Sequence, residues 1–371
     1  MADKRQRKER EIKYIDYTFL FIIIFLLCFG LVMLYSSSAY SANNTYGDGA
    51  HYLKLQIRNI LLGAVCMVFF ARVDYRWWKK WGMLIYFLAF ALCTAVLFVG
   101  RASHGQARWL SLGPLSFQPS EFAKFAVILF LAMIIEKVVR SLKDFKSLAK
   151  VMVMLVPLVG VIANNNLSTG IIVMAIAMCM LFVASPKYSH FVILVICGAA
   201  FLCVFLLMAS YRSDRITAWL NPETAENGYQ ILMGLYAIGS GGLFGKGLGN
   251  SLQKLGNMPE SQNDMIFSIV CEELGLFGAI CLILLFVILI WRMMIIANNS
   301  RDLYGALLVV GVMAHVAIQV VLNIAVVTNS IPNTGVTLPF ISYGGTSLIF
   351  LMGEMGLVLS VSRGIQLESI E

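Results

Sequence analysis

Long apolar runs, repeated along the chain and parted by short polar segments, constrain this sequence more than any other feature. Stretches such as "YTFLFIIIFLLCFGLVML" and "FGAICLILLFVILIW" hold no charge at all. About 20 apolar residues in helical form cross the hydrocarbon of a bilayer. Ten such spans are predicted, near 17–35, 56–72, 82–99, 120–135, 149–164, 167–184, 190–209, 265–290, 304–327 and 345–361. Those at 56–72 and 120–135 are short and flanked by polar residues, so a re-entrant form is the alternative for either. Hydrophobic residues make up 59% of the 371 and charged residues 13%. A water-soluble chain of this length cannot bury so much apolar surface. Segments of alternating polarity are absent, which argues against an outer-membrane barrel. The expected fold is an all-α polytopic membrane protein of about ten transmembrane helices, one domain over residues 1–371.

Charge orients the spans. Most of the 28 Lys and Arg fall in alternate connections. These hold Lys4, Arg5, Arg7, Lys8, Arg10 and Lys13, then Arg72, Arg76, Lys79 and Lys80, then Lys137, Arg140, Lys143, Lys146 and Lys150, and finally Lys187, Arg292, Arg301 and Arg363. Cytoplasmic connections carry such an excess. The basic segment 1–16 and the end 362–371 are therefore expected in the cytoplasm. A long loop, 210–264, is expected outside, between helices seven and eight. The net charge of +8 follows this topological pattern, and no nucleic-acid partner is expected. "KRQRKER" resembles a signal-peptide n-region, but the apolar run behind it is long, so it is read as a retained first helix. Trp77, Trp78 and Trp81 beside Lys79 and Lys80 form an interface anchor. The eight cysteines lie in apolar runs without metal-binding spacing.

Polar groups in or beside the membrane carry the chemical information, because each costs free energy there. Glu121 and Lys124, three apart, can pair on one helical face. His315, Gln319 and Asn323 recur every four residues, the pattern of interhelical hydrogen bonding; Glu354 is an isolated acid in the inner half. "SQNDMIFSIVCEELG" holds Asp264 at its mouth and Glu272 and Glu273 within. On one helix Glu272 stands about 12 Å along the axis from Asp264 and about 80° round it, so the three acids form no close dyad. Asp264 is equally placed to cap the helix. "SGGLFGKG" departs from a P-loop, with Ser240 in place of the first glycine and Gly247 in place of Ser/Thr. Beside Lys246 and Lys254 it suits a phosphate cradle or a plain turn. The outer arginines are Arg58, Arg101, Arg108, Arg212 and Arg215. Acids and cations over greasy walls suit an anionic lipid with a polar head. These residues alone leave a lipid-phosphate enzyme and a lipid transporter both open, although no inverted repeat of the transporter kind is found.

Five stretches resemble the SEDS family (shape, elongation, division and sporulation). They are "RWLSLGPLSFQPSEFAK", "YRSDRITAWLNP", "GYQILMGLYAIGSGGLFGKGLGNS", "NDMIFSIVCEELG" and "NIAVVTNSIPNTGVTLPFISYGGTS", in the family's order and over nearly the whole chain. Their wording is closer to the FtsW/SpoVE branch than to RodA. The resemblance implies ten transmembrane helices and a peptidoglycan glycosyltransferase. It implies polymerisation of lipid II, the undecaprenyl-diphosphate-linked disaccharide-pentapeptide, at the outer face of the bacterial cytoplasmic membrane, beside a class B penicillin-binding protein in divisome or related machinery, at the division septum. Asp264 matches the family's essential aspartate. Arg108, Glu121, Lys124, Glu272 and Glu273 match motif positions, and Ser342, Gly344 and Gly345 lie in the C-terminal signature. Asn166 stands where the family commonly has an acid.

The reaction so implied is an inverting transfer, with Asp264 as general base. Arg108, Arg212, Arg215, Lys246 or a bound Mg2+ or other divalent cation would face the diphosphate; no covalently bound cofactor is expected. Glu121 and Lys124 would shape the cavity floor, with Glu272 and Glu273 in support. The competing expectations are a lipid II flippase and a non-catalytic scaffold for the penicillin-binding protein.

Overall fold

The computed structural model describes residues 15–365, apart from 104, 105, 113, 114, 188, 193, 194, 196, 197, 199–209, 226, 227 and 257. The chain runs α1 (Tyr17–Tyr46), α2 (His51–Arg72), a short α3 (Tyr75–Lys79) and α4 (Gly82–Val99). Three short strands follow, β1 (Arg101–Ser103), β2 (Gln106–Leu112) and β3 (Leu115–Phe117), then α5 (Pro119–Val138), α6 (Phe145–Asn165) and α7 (Leu167–Ala184). Two short helices, α8 (Ser210–Leu220) and α9 (Tyr229–Gly241), precede α10 (Ile266–Asn298), α11 (Leu303–Val327) and α12 (Gly345–Ser362).

Eight of these helices are long and apolar enough to cross a membrane. α5 is the ninth long helix among the described residues. Its 20 residues reach about 30 Å, but Glu121, Lys124, Glu136 and Lys137 lower its apolarity. The seventh predicted span, 190–209, falls largely outside the described residues. The spans expected at 56–72 and 120–135 form continuous helices, 51–72 and 119–138, of which the first is long and apolar enough to cross a membrane. The first helix runs past residue 35, through "SSSAYSANNTY", until Gly47 at φ 70° closes it.

α5 and α12 are the most enclosed helices, with most of their residues buried. α12 lies against α2 so closely that a Cβ on Gly356 would stand 2.4 Å from the Met67 carbonyl oxygen. Small residues permit such approach where hydrocarbon supplies no hydrophobic drive between helices. The outward faces are apolar. Leu61, Val65 and Phe69 make an exposed stripe along α2, and Leu84, Phe87 and Leu88 another on α4. Patches of that kind belong against lipid.

Two features are additions to the sequence reading. Residues 101–117, left between two predicted spans, form an antiparallel sheet of order β1-β2-β3. It pairs Leu110 with Phe117 and Arg101 with Trp109. Second, α10 is not one continuous helix. Gly275 sits at φ 68°, ψ −169°, a region open only to glycine. The break is filled by the glycine-rich loop. In an unbroken helix the carbonyls of Glu272 and Glu273 would accept from the N–H groups of Leu276 and Phe277. Here they accept from Lys246 and Gly247, at 2.9 and 3.0 Å, while Leu276 and Phe277 donate to the carbonyls of Gly242 and Leu243. Every orphaned group at the break thus finds a partner. Gly245 and Gly275 make the insertion feasible, since a Cβ on either would collide with the other strand's backbone.

Candidate functional site

A cavity of about 550 Å³ opens where α5, α7 and α12 begin. Three cations, Arg108, Lys124 and Arg215, and three acids, Glu121, Glu260 and Asp264, line it. The rest of its wall is largely polar.

Asp264 stands in the turn before α10. The helix N-cap is Met265, which has no side-chain cap bond, so Asp264 does not cap. Its side chain is buried, with 7% of the residue exposed. It accepts a hydrogen bond from Gln230 Nε2 at 3.3 Å. The backbone is held from below: Asn323 Nδ2 donates to the Asp264 carbonyl at 2.7 Å and to that of Val336 at 2.8 Å. Burial, and after it the charge of Glu260, push the Asp264 carboxyl up to about 6, against the opposing pull of Gln230 and Arg215. A carboxyl kept from water loses the solvation of its charged form.

Around Asp264 runs a polar chain. Arg215 Nη1 donates to the Asn333 carbonyl at 3.1 Å, Asn333 Nδ2 to Gln230 Oε1 at 3.1 Å, and Gln230 to Asp264. α8 is fastened above by reciprocal bonds between Trp219 and Asn329. On the opposite wall Glu121 and Lys124 pair at 2.9 Å on the first turns of α5. Arg108, on β2, donates from Nε to the Asn165 carbonyl at 3.2 Å. Gly344 and Gly345 form the rim. Gln56 of α2 clamps that rim, donating to the Ser342 carbonyl at 3.2 Å and accepting from the Gly344 N–H at 3.3 Å. Ser342 itself lies behind the rim, its hydroxyl accepting from Leu338 N–H at 2.8 Å.

Three expected residues lie elsewhere. Lys246, expected at the diphosphate, does not line the cavity; its ammonium holds Glu272 at 2.7 Å. Glu272 also accepts from Ser251 Oγ and from the N–H groups of Leu252 and Gln253. Glu273 pairs with Lys254 at 2.7 Å and with Ser36 of α1. The two glutamates therefore fasten the inserted loop, one to itself and one to α1. The Arg212 side chain lies outside the described residues. Gln230, Asn333, Glu260 and Tyr343 were missed. A glutamine inside the apolar "YQILMGLYAI" was the one legible signal among them. Asn166 lines the cavity and caps α7, its side chain accepting from Thr169 N–H at 3.2 Å. Asn and Asp serve that role alike.

Residues 17–366 match the model of the FtsW/RodA/SpoVE cell cycle protein family. The chain belongs to that family. Stage V sporulation protein E of Bacillus subtilis (strain 168) is 40% identical over 360 residues, 94% of this chain and 97% of its own. The probable peptidoglycan glycosyltransferase FtsW of Trichlorobacter lovleyi is 35% identical over 367 residues, 97% and 96% of the two chains. Among solved structures, a chain from a peptidoglycan synthase complex that coordinates polymerization and crosslinking superposes with TM-score 0.81. It is 26% identical and covers 95% of this chain and 99% of its own. The rod shape determining protein RodA of Thermus thermophilus superposes at 0.69 with 25% identity, covering 95% and 98%.

Proposed function

We propose that this chain is a peptidoglycan glycosyltransferase that polymerises lipid II at the outer face of the bacterial cytoplasmic membrane, in division or sporulation. The observation that carries the reading is a buried carboxyl of raised pKa, facing a polar cavity at the mouth of an otherwise apolar bundle. A lipid-linked sugar brings its isoprenoid to the bilayer and its head to that depth. The names of the curated relatives support the same class.

In the proposed step an acceptor sugar hydroxyl attacks the anomeric carbon of the donor. The new C–O bond forms with inversion as the anomeric carbon–oxygen bond to undecaprenyl diphosphate breaks, and that oxygen keeps the electron pair. The hydroxyl proton passes to Asp264. A base whose pKa lies near the working pH combines ionisation with proton affinity. Arg108 and Arg215, fixed by carbonyl bonds, face the charge that develops on the diphosphate. Lys124 is occupied by Glu121 and shapes the floor. Glu260 and Asp264 are the cavity carboxylates that would hold a Mg2+ ion, which would supply positive charge for the leaving diphosphate. Among the described residues no group of three or more His, Cys, Asp or Glu forms a metal site without substrate.

The partner reading is a class B penicillin-binding protein, supported by the solved synthase complex. The test is polymer formation from lipid II by the purified chain, with and without that partner. Polymer from wild type and none from Asp264→Ala is the expected result. Wild-type rates from Asp264→Ala would remove the base assignment. Transbilayer movement of lipid II without polymer would favour a flippase, and function of every cavity variant in an assembled complex would favour a scaffold.

A further inference from the structure

The opposite end of the bundle holds a second concavity, about 150 Å³, lined by Arg72, Asp74, Arg76, Arg301, Ser360 and Arg363 among others. It lies one α12 length, about 27 Å, from the glycine rim of the first cavity. Four arginines converge on it from four places: the last turn of α2, the start of α3 and the two connections that close α10 and α12. Their engagements differ. Arg76 Nε is bound to Asp302 at 2.8 Å, and Arg363 Nη1 donates to the Ala71 carbonyl at 2.7 Å. Arg72 and Arg301 have no hydrogen-bond or ion partner among the described residues. The lining acid, Asp74, accepts from the Arg76 backbone N–H at 2.9 Å as the cap of α3. The concavity therefore carries net positive charge.

A general surplus of cytoplasmic charge would spread over exposed lysines, as it does at Lys143 and Lys146. Here the residues are arginines. The guanidinium fork matches phosphate oxygens in pairs, and arginine is more weakly hydrated than lysine. The floor is also prepared. Ser360 donates to the Val73 carbonyl at 2.7 Å and accepts from Tyr75 N–H at 3.0 Å, which fixes the corner between α2 and α3. Trp77, Trp78 and Trp81 follow at once, and tryptophans of this kind mark headgroup depth.

We infer that this arginine basin binds a phosphate-bearing anion, with the phosphodiester headgroup of an inner-leaflet anionic phospholipid as the source its depth favours. The inference does not depend on the reaction at Asp264.

The full chain is placed in nanodiscs of phosphatidylcholine containing phosphatidylglycerol, and retained phosphatidylglycerol is counted by native mass spectrometry. Two arginines beside an anionic headgroup are worth a combined factor of about thirty in affinity. Arg72→Gln with Arg301→Gln should show that loss, while Lys143→Gln with Lys146→Gln, an equal loss of charge, should retain wild-type binding. Arg301→Gln alone gives an intermediate loss should the double variant fail to fold. Inorganic phosphate is the second probe. Phosphate binding with the same variant dependence, and no preference for phosphatidylglycerol, keeps the site and assigns it to a soluble anion. Equal losses in the lysine variant, or no binding of either probe, would overturn the proposal.

Discussion

In the proposed reaction, catalysis and stability pull in opposite directions at Asp264. A carboxyl raised to about 6 from 3.8 is disfavoured in its charged form by the fold. The folded state holds the proton more tightly than the unfolded chain, so stability is full below pH 4 and is lost as pH rises through 6. The loss at neutral pH amounts to about 3 kcal/mol on the usual 1.4 kcal/mol per pKa unit. Asp264→Asn keeps an acceptor for Gln230 and removes the charge. It is expected to raise Tm and to lower polymerisation by about a hundredfold or more, measured by thermal unfolding and glycan-strand assay on one preparation. A purely structural Asp264 would move neither rate nor pH profile. The wild-type rate should fall about tenfold per pH unit below 6, as the base is protonated. Asn166 offers a contrasting case. Asn166→Asp keeps the cap of α7, whereas Asn166→Ala should cost about 1 kcal/mol, read as a drop in Tm.

The element that organises the site is the broken helix α10. The turn that leads into it carries Asp264 toward the cavity, and the loop filling the break at Gly275 holds its first turns in place. Gly275→Ala would need the rare backbone region and collide with Gly245 N at 2.3 Å. A loss of about 3 kcal/mol or more is expected, seen as lower Tm and as protease sensitivity of the 242–255 loop. Glu273→Gln leaves the Lys254 ammonium buried without its counter-charge, at a cost of about 3–5 kcal/mol. Adding Lys254→Met should recover most of that loss, and a double-mutant cycle on Tm checks it. Little of this was legible. The two adjacent acids and the glycines stood out in the sequence, but a helical period of 3.6 residues does not reveal that two carbonyls take partners from a loop some 26 residues upstream. That hydrogen-bond exchange is tertiary, and so is the exclusion of Lys246 from the cavity.

For the whole molecule, the bundle was legible because a bilayer imposes its own length on every span. The ends were less so. α1 outran its apolar run because its serines and asparagines keep helical geometry until a glycine stops it. The 101–117 sheet was missed because its strands are three to seven residues long. Asp264, Arg108 and Arg215 reach one cavity because β2, α8 and the turn before α10 meet at the face where α5, α7 and α12 begin, which one-dimensional spacing cannot convey. Sidedness has a direct check. In intact cells a membrane-impermeant maleimide should label Cys replacing Leu248 in the loop, and spare Cys replacing Lys143 until the membrane is opened. Labelling of Lys143→Cys first would invert the topology.

The exchange of partners at Gly275 also orders biosynthesis. Residues 242–247 leave the ribosome before Glu272, and at about 5–20 residues per second they wait on the order of seconds for it. Until they dock, four backbone groups at the break lack protein partners in a setting where each such group costs several kcal/mol. α10 cannot settle as a finished span ahead of its loop. Docking of the loop thereby becomes a condition for completing α10, and the turn that bears Asp264 sits directly ahead of that element.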